Sequence, residues 1–352
     1  MTTRLRCAQA QTGFFVVMVF YIDIVGSCNL RCKGCPSAHF GKRTGEKMSL
    51  ELFSRILDKL IGQYDDADYL GFYNWTEPLL HPRLDEFVAR TKQAKPGIRT
   101  SVSSNLSLRN IDCLLRAVDC GLDQLIVSVS GISQEVYSRY HVQGDIELVK
   151  ANIQKVSDYI SARKAATHLD VHFLQFNDNQ AEELLMQRFC TPALVNFYPK
   201  EACYAKGVDN SENLARLKYQ FSPNNSDSAL NLLAPRRCGD LQLGQPCEQV
   251  FDVVALNHKG EVFLCCSRYN LPEYKIGSFI DLAPEEMLYY KVTHPECFYC
   301  RGQRRPATAA DFNRLQKALY FGASRDSLRV NRLLTNGLYH APEYKSPLST
   351  QT

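Results

Sequence analysis

Between residues 14 and 198 the chain alternates six times between a short run rich in Val, Ile, Leu, Phe and Tyr and a longer amphipathic segment. That rhythm restricts the fold more than any other feature. The strand-like runs fall at 14–24, 69–73, 98–104, 122–129, 169–176 and 194–198. Most lack strict apolar–polar alternation, as expected of strands covered on both faces. The intervening segments carry helix signals. Ser49 is placed to cap a helix whose Leu52, Phe53, Ile56, Leu57, Leu60 and Ile61 fall on one stripe. Pro82 suits the first turn of a helix bearing Leu84, Phe87 and Val88. Asn110 and Gly121 bracket another as N-cap and C-terminal stop, and Asp145 opens a longer one through Val149, Ile153, Val156 and Ile160. Six βα units in succession make the chain an α/β protein with a parallel sheet, either open and doubly wound or curved into a partial barrel.

After about residue 200 the rhythm fails. The stretch 222–237, rich in Asn, Ser and Pro, reads as a linker or long loop. A hairpin is expected from 250–256 and 262–265 about a turn at His258-Lys259-Gly260, with a short helical piece after it. From Ala309 one helix and a polar tail complete the chain. The expected organisation is therefore 14–200, a linker at 201–246, a small unit at 247–305, and a terminal helix and tail at 306–352. With 41 basic against 37 acidic residues the net charge is only +4, too weak and dispersed to argue for nucleic acid or anionic lipid as a partner. No apolar run approaches the roughly 20 residues of a membrane helix. The nearest, 14–25, is short, interrupted by Asp23 and followed by no cleavage site, so it reads as a buried strand rather than a signal peptide. Nothing signals export, so a cytoplasmic location is expected. Fourteen cysteines in a reducing compartment then point to metal rather than disulfides.

Three of those cysteines, Cys28, Cys32 and Cys35, stand within eight residues directly after the first strand. Thiolates are soft ligands suited to iron–sulfur or zinc, and three rather than four leave one metal position open, as in catalytic centres. The loop also leaves the carboxyl end of the strand, where α/β proteins place active sites. The competing reading is a structural zinc ion or three unrelated thiols, although zinc usually takes paired cysteines with a second pair elsewhere.

At these residues the chain resembles the radical S-adenosylmethionine (SAM) superfamily, whose signature C-x3-C-x2-C occupies the loop after the first strand of a partial (β/α)6, TIM-like barrel. The resemblance implies that Cys28, Cys32 and Cys35 hold a [4Fe–4S] cluster whose fourth iron is chelated by SAM. It further implies reductive SAM cleavage and abstraction of a substrate hydrogen. Gly34 stands where the family commonly has an aromatic residue near adenine. Asn74-Trp75-Thr76-Glu77-Pro78 ends the second strand where the family carries G-G-E-P, which implies that Glu77 binds the SAM amino group. Ser103-Ser104-Asn105 resembles the ribose-side T-N-G, making Ser104 and Asn105 cofactor contacts. Ser128-Val129-Ser130-Gly131 resembles S-x-D-G with Ser130 in place of the acid, and Ser128 becomes a contact for the SAM carboxylate. The resemblance covers residues 14 to 200.

A second group begins with Cys247, twelve residues, Gly260, four residues and Cys265, followed by the pair Cys297 and Cys300. A glycine turn can bring Cys247 and Cys265 together across two strands, and the later pair can close a four-thiolate site. Four ligands saturate a zinc ion or a cluster, and spacing alone leaves both open. The pattern resembles the SPASM domain in its shortened Twitch form, which implies one auxiliary [4Fe–4S] cluster held by Cys247, Cys265, Cys297 and Cys300. Cys266 adjoins Cys265 but misses the spacing by one and is left out of the site; Cys113 and Cys120 read as core residues, and Cys203 and Cys238 as free thiols, with a substitute ligand or a hydrogen-atom donor as the alternatives. His39, His81, His141 and His172 are acid–base candidates by position only.

Relatives with such domains include dehydrogenases of cyclitol alcohols, epimerases, and enzymes that modify peptides. A single extra cluster, with only some 13 residues ahead of the first strand, favours oxidation or epimerisation of a small polar substrate: a sugar, cyclitol or nucleotide sugar. A flavodoxin or ferredoxin is the expected reducing partner. Modification of a peptide side chain is the alternative enzyme reading, and a non-catalytic electron-transfer protein the alternative outside enzymes.

Overall fold

The computed structural model describes residues 18–33, 35–40, 43–176, 179–193, 195–201 and 252–294. Its strands are β1 Met18–Ile22, β2 Ala67–Gly71, β3 Arg99–Ser104, β4 Gln124–Val129, β5 His168–Gln175, β6 Asn196–Glu201, β7 Val253–Leu256, β8 Glu261–Phe263 and β9 Lys275–Ser278. The helices are α1 Pro36–Phe40, α2 Leu50–Gln63, α3 Leu84–Ala94, α4 Asp112–Asp119, α5 Gln134–Tyr140, α6 Ile146–Arg163, α7 Gln180–Cys190 and α8 Pro284–Thr293.

All strands share one sheet in the order β6-β5-β4-β3-β2-β1-β7-β8-β9, with every pair from β6 to β7 parallel. The order of β1 to β6 follows the chain without reversal. Successive helices also touch one another: α2 meets α3, α3 meets α4, α4 meets α6, and α5 meets α6. A doubly wound sheet reverses its order at a switch point and puts helices on both faces. Sequential order with helices in mutual contact is instead the arrangement of a partial barrel.

Local signals explain the elements. Ser49 Oγ accepts the Leu52 N–H at 3.1 Å, and Asp145 Oδ1 accepts the Leu148 N–H at 3.1 Å, each capping its helix. The stripe of α2 buries Phe53, Ile56, Leu57 and Leu60 against the sheet's outer face, where Phe53 packs on Phe72 and Phe87. Two caps differ from expectation. Helix α3 starts at Leu84, beyond Pro82, with Arg83 at the N-cap. Helix α4 has Ile111 at the N-cap, while Asn110 Oδ1 accepts the Asp112 N–H at 2.8 Å from one position farther out. Gly121, at φ +87°, does end that region.

The hairpin forms with β7 and β8 antiparallel and Gly260 at φ +72° in the turn. Its first strand also pairs with β1, Val19 to Ile22 against Val253 to Leu256, so 252–294 continues the barrel's own sheet. Phe279, just past β9, enters the same core, edge-on to Phe20 and stacked on Tyr64. The stretch after the hairpin holds strand β9 as well as the expected helix. The segment 222–237 and everything from Ala309 lie outside the described residues. Among the described residues no helix is long and apolar enough to cross a membrane.

Candidate active site

Strand register fixes two faces. Phe20 and Ile22 of β1, Val127 of β4 and Val171 of β5 join the helix-side core. Their neighbours in the chain face the concave side, which is polar. Near the amino ends of the strands a row runs across four of them. Ser101 Oγ donates to Gln124 Oε1 at 3.3 Å, Gln124 Nε2 to Asp170 Oδ2 at 2.6 Å, and Asn196 Nδ2 to Asp170 Oδ1 at 2.8 Å. Nearer the carboxyl ends, Ser128, His172 and Tyr198 stand side by side in register, with the Tyr198 ring edge-on to His172 at 5.7 Å.

The three-cysteine loop emerges above this face. Backbone bonds to the end of α5 and the residues just past it hold the loop from one side: Arg31 N–H donates to Val142 O at 3.0 Å and Lys33 N–H to Tyr140 O at 2.9 Å. Arg43 donates to Leu30 O at 2.7 Å from the other. Cys28, Cys32 and Cys35 are each half-buried. Burial pushes the Cys28 thiol up to about 12, with the Glu77 charge adding to it, and raises Cys32 and Cys35 in the same direction. Cys28 and Cys35 both bear on Cys32, so the thiols are electrostatic neighbours.

The donor set fits an iron–sulfur cluster. Leu30 N–H reaches Cys28 Sγ at 3.5 Å and Asn105 Nδ2 lies 3.8 Å from it, the kind of N–H contact that steadies a ligating thiolate. Among the described residues no three His, Cys, Asp or Glu side chains converge on the span of a single ion. A cubane does not require that, because each thiolate holds a separate iron.

Beside Cys28 the structure brings Glu77, Ser104 and Asn105 into one network. Glu77 is 2% exposed. Its Oε1 accepts from Ser104 Oγ at 2.8 Å and Leu79 N–H at 3.1 Å; its Oε2 accepts from Asn105 N–H at 2.9 Å and Asn105 Nδ2 at 2.6 Å. Asn105 Nδ2 also donates to Asn29 Oδ1 at 2.9 Å, and Glu77 N–H to Ser27 O at 3.1 Å, which ties the carboxylate to the cysteine loop. Burial lifts this carboxyl to about 7 despite those donors. Ser128 stands apart in the row with His172. Ser130, in the position where the family carries an acid, pairs with buried His141, its Oγ 2.7 Å from Nδ1. Burial lowers His141 to about 3, so the imidazole is neutral. His81 is structural, with Nε2 3.1 Å from Met48 O and Nδ1 accepting the Arg83 N–H at 3.2 Å.

Asp23 is the residue that sequence reasoning passed over. It is 1% exposed at the end of β1. Its Oδ1 accepts the N–H groups of Asn74, Trp75 and Thr76 at 2.9, 3.0 and 3.1 Å and the Thr76 hydroxyl at 2.7 Å. One buried acid therefore shapes the turn that delivers Glu77. The segment after β8 lies against the same turn: Asn270 Nδ2 donates to Asp23 Oδ2 at 3.3 Å, and Trp75 Nε1 to Arg268 O at 3.0 Å. The Tyr269 hydroxyl bonds the Ser37 side chain just past Cys35. Cys265 and Cys266, half-buried, begin this segment. Cys247, Cys297 and Cys300 lie outside the described residues, as do Cys203 and Cys238.

Comparison with known proteins agrees with this geometry. Residues 22–187 match the model of the radical SAM superfamily. A tungsten-containing aldehyde ferredoxin oxidoreductase cofactor-modifying protein of Pyrococcus furiosus is 26% identical over 167 residues, 47% of this chain and 46% of that protein. A probable GTP 3′,8-cyclase of Methanococcus maripaludis is 24% identical over 187 residues, 52% of this chain and 59% of that protein. The chain thus matches only about half the length of these relatives. Among solved structures, anSMEcpe with bound AdoMet superposes with a TM-score of 0.51 at 14% identity, covering 91% of this chain and 96% of that one. SuiB of Streptococcus suis bound to its precursor peptide superposes with a TM-score of 0.54 at 11% identity, covering 84% and 69%. These similarities show a shared fold.

Proposed function

We propose, from the match of residues 22–187 to the radical SAM superfamily, that this protein reductively cleaves SAM and abstracts a hydrogen atom from a small polar substrate, which it oxidises or epimerises. The observation that carries the reading is the network joining Cys28 to Glu77, Ser104 and Asn105 at the carboxyl ends of β1 to β3. Cys28, Cys32 and Cys35 would hold a [4Fe–4S] cluster. Cluster and SAM together supply a carbon radical able to take hydrogen from substrate. Glu77 offers a carboxylate at the depth of the loop for the SAM amino group, a charge-assisted contact. Ser104 and Asn105 hold that carboxylate in place and would meet the ribose, and Ser128 would meet the SAM carboxylate. The concave face supports a polar substrate: its Ser101–Gln124–Asp170–Asn196 row closes the lower end, and Ser128, His172 and Tyr198 present polar groups above it. An auxiliary cluster on Cys247, Cys265, Cys297 and Cys300 would accept the electron that an oxidation releases, and a flavodoxin or ferredoxin would supply the one that starts turnover.

Anaerobically reconstituted protein should bind iron and sulfide and release 5′-deoxyadenosine from SAM under reduction. Cys28→Ala, Cys32→Ala and Cys35→Ala should each abolish that release, and an active variant among them defeats the ligand assignment. Deuterium carried from a labelled sugar or cyclitol into 5′-deoxyadenosine would support the substrate class; transfer only from peptides would refute it. Cys297→Ala should spare SAM cleavage more than substrate turnover.

A further inference from the structure

Helix α5 carries a tyrosine with a hydroxyl that the protein buries and does not use. Tyr137 is 0% exposed, and its hydroxyl oxygen has no hydrogen-bond partner among the described residues. Leaving a buried hydroxyl unpaired is costly, and native structures rarely do so without a missing partner. The ring is held firmly, stacked on His141 at 4.6 Å with 7° between planes, while His141 is fixed by Ser130. Gly144 lets the chain pass close over it: a Cβ there would come within 2.6 Å of Tyr137 Cε1 and 2.9 Å of the hydroxyl oxygen. The segment immediately after Tyr137 is the one that grips the cysteine loop, through Tyr140 O and Val142 O on either side of Cys32. Burial raises the Tyr137 hydroxyl well above its usual range. The ionisable groups close enough to bear on it when charged are led by Cys32, Glu77, Asp145 and Cys28.

We propose that the Tyr137 hydroxyl donates a hydrogen bond to a sulfur of the cluster held by Cys28, Cys32 and Cys35, and so sets the cluster's reduction potential. The inference rests on the cluster assignment made above. A sulfur acceptor supplies the partner that the protein itself withholds. A neutral donor stabilises the more negative, reduced cluster over the oxidised one, so hydrogen bonds to sulfur raise the potential. Tyr137 is a positioning and tuning residue, because it acts through the cluster rather than on substrate.

Tyr137→Phe keeps the ring, its stacking on His141 and the packing against Gly144, and deletes only the donor. In reconstituted protein poised at the wild-type midpoint and read by EPR, Y137F should shift the reduced-to-oxidised ratio about tenfold toward oxidised, equivalent to about 59 mV for one electron. Metal-free Y137F should unfold at a urea concentration no lower than wild type, since no protein partner is lost. A ratio within twofold of wild type, or a lower urea midpoint, overturns the proposal while a wild-type cluster signal leaves the parent reading standing. A wild-type protein that binds no iron and sulfide overturns both.

Discussion

Asp23→Asn isolates the residue that shapes the Glu77 turn, because it removes one charge and almost no volume. The carbonyl oxygen of asparagine can keep the Oδ1 position and its four donors, from Asn74, Trp75 and Thr76. The amide nitrogen then occupies the Oδ2 position, where Trp75 N–H and Asn270 Nδ2 both donate at 3.3 Å, so a donor faces donors. Hydrogen bonds to a charged group contribute roughly 1.5–3 kcal/mol each and neutral ones roughly 0.5–1.5, but four donors sharing one oxygen do not add independently. Against the loss stands the cost of burying the charge, which raises the Asp23 pKa above its usual value and which asparagine avoids. The balance is a destabilisation of about 2 kcal/mol, with the Glu77 turn loosened ahead of the rest. The protein contains one tryptophan, Trp75, and it sits in this turn, edge-on to Tyr269. Its fluorescence during urea unfolding of the metal-free protein therefore reads the turn directly. D23N should move the Trp75 transition to lower urea and raise the KM for SAM more than it lowers kcat. A variant with an unshifted Trp75 transition and an unchanged KM would refute the view that Asp23 organises the turn.

Two further outcomes follow from the same geometry. The folded state holds the Glu77 proton up to about pH 7, against an ordinary value of 4.5. The native metal-free protein therefore loses stability as pH rises through that window, by about 2.5 kcal/mol between pH 5 and pH 8. Glu77→Gln should remove this share, so urea profiles of wild type and E77Q that stay parallel across those pH values would contradict the burial argument. Ser49→Ala removes the acceptor of the Leu52 N–H and should cost about 1 kcal/mol without changing SAM cleavage, and an unshifted unfolding midpoint would show that water replaces the cap.

How much of this was legible in the sequence depends on how local the cause is. Helices α2 and α6 could be placed because Ser49 and Asp145 cap within three residues of themselves. The cysteine loop, Glu77, Ser104 and Asn105 could be found because each lies at or within a few residues of the carboxyl end of a strand, and a parallel barrel gathers such positions at one end. The pairing of β1 with β7 had no such signal. Val19 meets Val253 across more than two hundred residues, and β7 reads equally well as half of an isolated hairpin. Asp23 was hidden for a related reason: an acid ending a strand looks like the point where the chain meets water. In fact the strand before it is flanked on both sides by parallel partners, so its end stays inside, and the charge must be met by protein donors. The donors come from 74–76 and from Asn270, both beyond the cysteine loop in sequence and both reached only through tertiary structure. An acid at the end of an otherwise apolar first strand, just ahead of a cysteine loop, is thus better read as a demand for buried donors than as the edge of the core. The segment that answers this demand from beyond β8 is the one that opens with Cys265, so the half of the chain with the weaker sequence signal helps to hold the turn that positions Glu77.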